Sequence, residues 1–347
     1  MTTQPRLSTR LERARDILRE GVIDGVFSHV AFGLKYANEP AIIEHFGKSS
    51  NDIYYDLASL TKPLCTATLI LQLVECGRLH LLETISSIFG SIIEPSSELA
   101  SVTIKQLLTH TSGLPPAPME NSDAHDSEAH DVVLRCLQSP LVSQPGTAYS
   151  YSDTGYILLG KIAELVCATR LDALFTQHIS GAIDRNDIGF LTTLDVQITT
   201  APTGCKDGLV HDPRARAMGG VAGHAGLFGT VDSVLEAAYA LTATNKLVST
   251  AGRRRLLQSQ IDPSVGAQSF GLFCSPNPLL PAGDLFSERA VGHSGFTGTL
   301  ILRDPEFDIT IVLLSNRVAF NKGDSGAFLK LRRYWLNSVA AAANRTS

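Results

Sequence analysis

Strand-like runs lie at both ends of this chain, and the residues between them are patterned mainly as helices. Val26 to Lys35 and Ala41 to Phe46 flank Tyr36-Ala37-Asn38-Glu39-Pro40, whose Asn and Pro suit a hairpin turn. Gly298 to Leu302 and Ile309 to Leu314 repeat the strand pattern late in the chain, joined by Arg303-Asp304-Pro305-Glu306-Phe307-Asp308. From about 100 to 260 the chain alternates helical runs (Val132 to Leu137, Gly155 to Cys167, Ser233 to Thr242) with loops rich in Gly, Pro and Asp. Strands at both ends with helices between imply one antiparallel sheet assembled from N- and C-terminal segments and interrupted by a helical insertion. The expected fold is α+β: residues 1–65 plus 265–347 as an α/β sandwich lobe, 66–264 as a mainly helical lobe, and the active site in the cleft between them.

Helices are expected to cover that sheet. Leu7, Leu11, Ala14, Ile17 and Leu18 recur at helical spacing and stop before Gly21, and a last helix spans roughly Phe328 to Ala342. A further helical pattern runs from Leu64 through Ala67, Thr68, Leu71 and Val74 to Gly77, which sits where a C-terminal cap belongs. Ser59 therefore falls at or just before a helix start.

A serine hydroxyl is a poor nucleophile at neutral pH, so acyl transfer needs a base in reach, donors for the oxyanion and a proton for the leaving group. Three segments could supply these parts. In Ser59-Leu60-Thr61-Lys62, positions three apart share a helix face, which brings the ammonium beside the hydroxyl. Lys62 is the only lysine with a serine three residues before it, and Pro63, tolerated in a helix's first turn, puts the pair at the helix start. Taken alone, the pair also reads as a helix cap with a surface lysine. Tyr151-Ser152-Asp153 lies in a loop before a helix; Tyr151 could exchange a proton there, or be a packing residue, with Asp153 as N-cap, site residue or both. Gly292-His293-Ser294-Gly295-Phe296-Thr297-Gly298-Thr299 enters a strand, where glycines let a substrate approach and a backbone N–H could form half of an oxyanion hole. The alternative there is a glycine-rich bulge with His293 hydrogen-bonded in the core.

In this order the segments resemble the Ser-x-x-Lys, Tyr-x-Asn and Lys-Thr-Gly elements of the penicillin-binding protein and class C β-lactamase superfamily. Leu107-Leu108-Thr109-His110-Thr111-Ser112-Gly113-Leu114-Pro115 and the glycine-rich run from Ala217 to Phe228 are similar to further parts of that family, so the likeness covers about 25 to 317. It implies the β-lactamase/transpeptidase-like fold, with Ser59 as acylated nucleophile, Lys62 as proton acceptor and Tyr151 as relay to and from the leaving group. It also implies an oxyanion hole from the N–H groups of Ser59 and Phe296, and substrate contacts from Asp153, His293, Ser294 and Gly295. Asp153 replaces the family's usual Asn, and His293-Ser294-Gly295 replaces Lys-Thr-Gly, so a cation that grips a substrate carboxylate is lost and the chain looks like the esterase and carboxypeptidase branches. His293 could still donate a hydrogen bond, with a charge that depends on pH. The resemblance thus implies a serine hydrolase of an ester or amide, D-alanyl peptides or β-lactams among them; a domain of the same fold that binds without turnover is the alternative.

With a formal charge of −5 the chain offers no basic field for nucleic acid, and Arg253-Arg254-Arg255 reads as a solvated helix face. The six cysteines form no Cys-x-x-Cys pair and no zinc-ligand cluster, so neither a metal nor another cofactor is expected. Carboxylates around His125 and His130, in the run Glu120 to Asp131, read as a solvated acidic loop. The glycines at 219, 220, 223, 226 and 229 fit neither a dinucleotide fingerprint nor a phosphate loop, and His224 among them reads as structural. No stretch is long and apolar enough to span a bilayer, and the start of the chain lacks the apolar run of a secretory signal, so a cytoplasmic location is expected. The expected partner is a small molecule or short peptide; oligomeric state has no signature in the sequence.

Overall fold

The structure, a computed structural model, describes residues 6–94, 97–118, 129–194, 197–205, 208–320 and 325–344. His125 and the rest of the acidic run through 128 lie outside them. Ten strands occur in chain order: β1 (His29–Tyr36), β2 (Ile42–Gly47), β3 (Ile53–Asp56), β4 (Ile188–Phe190), β5 (Thr199–Thr200), β6 (Leu227–Gly229), β7 (Phe273–Cys274), β8 (Val291–Gly295), β9 (Thr299–Asp304) and β10 (Ile309–Ser315). Six of them make an antiparallel sheet in the order β2-β1-β10-β9-β8-β7, so the N-terminal hairpin pairs directly with the C-terminal one.

Both faces of this sheet are covered. Alternate residues of β1, β9 and β10, among them Phe32, Leu300, Leu302, Ile311 and Leu313, pack into a core with the terminal helices Glu12–Ile23 and Gly326–Ala343, where Trp335 lies 5.6 Å from the Phe32 ring. The opposite residues, Ala31, Ile301, Val312 and Leu314, join the larger core shared with the helices and short strands of the middle of the chain, the Val231–Ala243 helix among them. Burial on both faces is why Ile309 to Leu314 reads as an unbroken apolar run apart from Thr310.

Three local expectations change. The first helix does not stop at Gly21; it continues to Ile23, and Gly21 is small because a Cβ there would meet Leu331 and Phe27. The chain reverses instead at Gly25, whose φ of +71° suits glycine. The middle of the chain is not all helix and loop: β4, β6, β3 and β5 form a second, four-stranded sheet in that order. At two to four residues each, those strands are too short to leave a periodic signature. Finally, Ser152 rather than Asp153 caps the Asp153–Cys167 helix, its Oγ accepting the Gly155 N–H at 3.2 Å, which frees the Asp153 carboxylate.

Candidate active site

Ser59 sits in a tight turn, Ala58–Leu60, that leaves β3 and runs into the helix containing Lys62. The turn is strained and heavily tied. Ala58 has φ +46°, a region costly for a residue with a Cβ, and its N–H donates to Asp56 Oδ1 at 2.8 Å. The other Asp56 oxygen accepts the His211 N–H at 2.7 Å, and burial pushes this carboxyl up to about 6. Thr297 Oγ1 donates to the Asp56 carbonyl at 2.7 Å and Thr299 Oγ1 to the Leu57 carbonyl at 3.2 Å, so the turn between β8 and β9 and the start of β9 hold the Ser59 turn from one side. On the other, the Leu57 N–H donates to the Leu227 carbonyl at 2.9 Å. Gly295 permits the approach: a Cβ there would strike Thr299 Oγ1 and the Leu57 carbonyl.

Lys62 is fully buried, not a surface residue. Its first turn departs from α geometry, with Lys62–Ala67 wound as a π-helix, a distortion frequent at functional sites. The ammonium donates to Ser59 Oγ at 2.9 Å and to the His224 carbonyl at 3.2 Å, and pairs with Asp153 Oδ1 at 2.8 Å. Burial would lower the Lys62 pKa, but the Asp153 carboxylate, then Tyr151, outweigh it and raise it; burial would raise Asp153, and the same ammonium, then His224, holds it low. The resting pair is an ammonium facing a carboxylate.

The Tyr151 hydroxyl lies within hydrogen-bonding reach of both Lys62 and Ser59. Burial raises its pKa against the pull of Lys62, so it rests as a phenol. His110, which was quoted within a motif but given no role, holds this tyrosine. Its Nδ1 accepts the Ser152 N–H at 3.1 Å, its carbonyl accepts the Ser150 N–H at 2.9 Å, and its ring lies 4.6 Å from the Tyr151 ring. Burial, then the nearby Lys62, lowers His110 to about 3, so it stays neutral.

Ser59, Tyr151, Ser294, Gly295 and Phe296 line one cavity of about 330 Å³, and the buried Lys62, paired with Asp153, contacts its Ser59. His293 departs from expectation. It is 1% exposed, stacks on Phe273 at 4.4 Å and lies 5.9 Å from Tyr151, and it does not line the cavity. Burial, then Lys62, drives its pKa well below the usual 6.5, so the expected pH-dependent charge gives way to a neutral packing ring. Its Nδ1 lies 2.9 Å from the Ser294 carbonyl.

Beside Lys62, ligand-type atoms of Asp153, Asp212 and His224 lie within 4.8 Å of one another. His224 Nε2 is 2.9 Å from Asp212 Oδ1, and the Lys62 ammonium already occupies the cation position against Asp153. Asp56 and Asp212, with no motif around them, were invisible as site residues because only the fold brings Asp56 to the Ser59 turn and Asp212 to Asp153 and His224.

The sequence model of the Beta-lactamase family matches residues 14–333. Among curated proteins, an Escherichia coli K12 protein provisionally named a D-alanyl-D-alanine carboxypeptidase is 29% identical over 80% of this chain and 72% of its own length. A Bacillus subtilis 168 protein named N-acetylmuramyl-L-alanine amidase is 29% identical over 85% of this chain and 76% of its length. Among solved structures, the octameric penicillin-binding protein homologue of Pyrococcus abyssi superposes with a TM-score of 0.71 at 22% identity, covering 89% of this chain and 74% of the other. EstCE1, a hydrolase with promiscuous acyltransferase activity, does so at 0.74 and 19% identity, covering 95% and 98%. At those identities the superpositions establish the fold. The family match spans every segment that lines the Ser59 cavity, and from it the chain belongs to the beta-lactamase family and is a serine hydrolase.

Proposed function

We propose that this protein transfers the acyl group of a small ester or amide, D-alanyl peptides included, through a covalent intermediate on Ser59. The observation that carries this reading is the 2.9 Å contact from Lys62 Nζ to Ser59 Oγ, in a cleft where Tyr151 reaches both. Ser59 Oγ attacks the substrate carbonyl, its proton leaving to Lys62, while the N–H groups of Ser59 and Phe296 receive the oxyanion. Tyr151 then protonates the leaving group and takes the proton back from Lys62, which frees the amine for water to repeat the sequence on the acyl-enzyme. Lys62 must shed a proton before it can accept one, and Asp153 opposes that loss, so acylation strengthens as pH rises into the alkaline range.

The chemistry named for relatives spans peptide and amide cleavage and acyl transfer, which supports a general acyl-transfer core. The neutral His293, in place of the family's lysine, disfavours β-lactams as the main substrates. A cytoplasmic site of action belongs to this reading, and fractionation of cells expressing the tagged full-length protein tests it.

A fluorophosphonate probe followed by peptide mass spectrometry tests the nucleophile: one adduct on the Ser59 peptide is expected, with none in Ser59→Ala. A p-nitrophenyl ester, a chromogenic cephalosporin and a D-Ala-D-Ala peptide then rank the substrates. Labelling elsewhere, or ester turnover surviving in Ser59→Ala, would overturn the reading; labelling with a single burst and no turnover would convert it to a binding domain.

A further inference from the structure

The cavity that exposes Ser59 has a second wall built from Arg317, in the turn after β10, and Arg332, on the C-terminal helix. The two guanidiniums share one aromatic ring, Arg317 at 5.5 Å and Arg332 at 5.9 Å from the Phe328 centroid. Arg317 also lies 5.0 Å from the Phe296 ring and donates Nη2–H to the Phe296 carbonyl at 2.5 Å. Neither arginine forms an ion pair with a carboxylate among the described residues. Burial lowers both pKa values, Arg332 to about 10, with the charge of Arg317 as the second cause.

This arrangement is costly unless something completes it. Two neighbouring cations withdrawn from water, with no acid between them among the described residues, pay desolvation and mutual repulsion together. An anion entering the cavity relieves both, and a guanidinium fork matches a carboxylate in two parallel hydrogen bonds. His293 cannot do this, being neutral and outside the cavity. The rest of the wall is apolar, through Phe273, Pro278, Leu279 and Leu329, and Leu279, Phe296 and Leu329 remain more than 40% exposed at the mouth.

We infer that Arg317 and Arg332 form an anion subsite in the cleft, taking the free carboxylate of a substrate whose body is apolar. The inference rests on acyl transfer at Ser59. It supplies the substrate grip absent from the position of His293, from a different part of the chain. Arg317 also holds the loop that carries Phe296, so Arg332 is the residue that isolates recognition.

The test uses two matched ester pairs. In one the acyl group carries the charge, 4-nitrophenyl hydrogen glutarate against its methyl ester; in the other the leaving group does, 3-acetoxybenzoate against its methyl ester. The readout is the ratio of kcat/KM for the acid to that for its methyl ester. Wild type is expected to favour one acid, and Arg332→Gln to cut that ratio about 10- to 100-fold, mainly through KM, as loss of a charge-assisted contact does. Arg332→Lys should retain part of it. Fluorophosphonate labelling of Ser59 in each variant reports that the site is folded. A ratio that neither arginine variant changes, in both pairs, overturns the subsite. Failure of wild type to label overturns the acyl-enzyme reading instead.

Discussion

On the wall of the cleft that carries Ser59, charge is matched: Lys62 faces Asp153, and the Asp56 carboxylate accepts two backbone N–H groups. On the wall that carries Arg317 and Arg332, charge is left open among the described residues and the surrounding side chains are apolar. In the proposed mechanism the first wall performs the same acyl chemistry whatever the substrate, so its dipoles can be set in advance and held rigid. In the inferred subsite the second wall takes its partner from the substrate. A buried charge in this protein is therefore read through its neighbours, as a fixed catalytic part when compensated and as a recognition part when not.

The sharpest way to break that contrast is to uncompensate the first wall. Lys62→Met strands Asp153 without a cation and is expected to lose about 3–5 kcal/mol of stability in urea unfolding, together with ester turnover. The double variant Lys62→Met/Asp153→Asn should regain most of that stability and none of the activity. Equal stability of the single variant and wild type would deny that the pair is buried and matched. Next in size, Gly295→Ala drives a Cβ against Thr299 Oγ1 and the Leu57 carbonyl; a loss in kcat/KM of about 100-fold is expected from displacement of the nucleophile turn.

A finer probe is Asp153→Asn, which keeps the shape and removes the charge. Asp153 raises the Lys62 pKa, so its neutralisation lets the free amine form at lower pH. The rising limb of the pH profile for kcat/KM should move to lower pH. A limb that stays in place would shift the proton acceptor to Tyr151.

The smallest effects concern stability against pH. His110 and His293 are buried neutral, with folded pKa values depressed below the unfolded 6.5, so their contribution is present above pH 6.5 and lost as pH falls toward the folded values. Asp56 acts oppositely: its folded pKa, raised from 3.8 to about 6, favours the folded state as pH falls through that interval. With His29 and His211 also held low by burial, four histidines against one raised carboxylate predict a urea midpoint that declines between pH 6.5 and 4.5, and a shallower decline in His293→Gln. An equally steep decline in that variant would mean that His293 is already charged when folded.

Much of this was legible in the sequence where a short segment carries its own signal. Ser59 and Lys62 are three apart before a proline, and the segments around Tyr151 and Gly295 resemble family elements, so their convergence on the cleft could be expected. The long strands and helices were legible for a similar reason, since apolar periodicity is local. The Asp153 carboxylate facing Lys62 was not, because Ser152 and Asp153 are both acceptable caps and only the fold selects one. Arg332 carries no signal of its own in the sequence; its meaning depends on Arg317 and Phe328 meeting it in space. Asp56 and Thr297 carry hydrogen bonds between segments that no spacing rule connects.

Those hydrogen bonds also fix when the site can exist during folding. Thr297 reaches the Asp56 carbonyl across 241 residues of chain, and Lys62 reaches the His224 carbonyl across 162. Closing loops of that length comes late, after helices and hairpins have formed locally. Recovery of ester turnover after dilution from denaturant should therefore trail the recovery of helical circular dichroism, and no fragment lacking either end of the chain should be active.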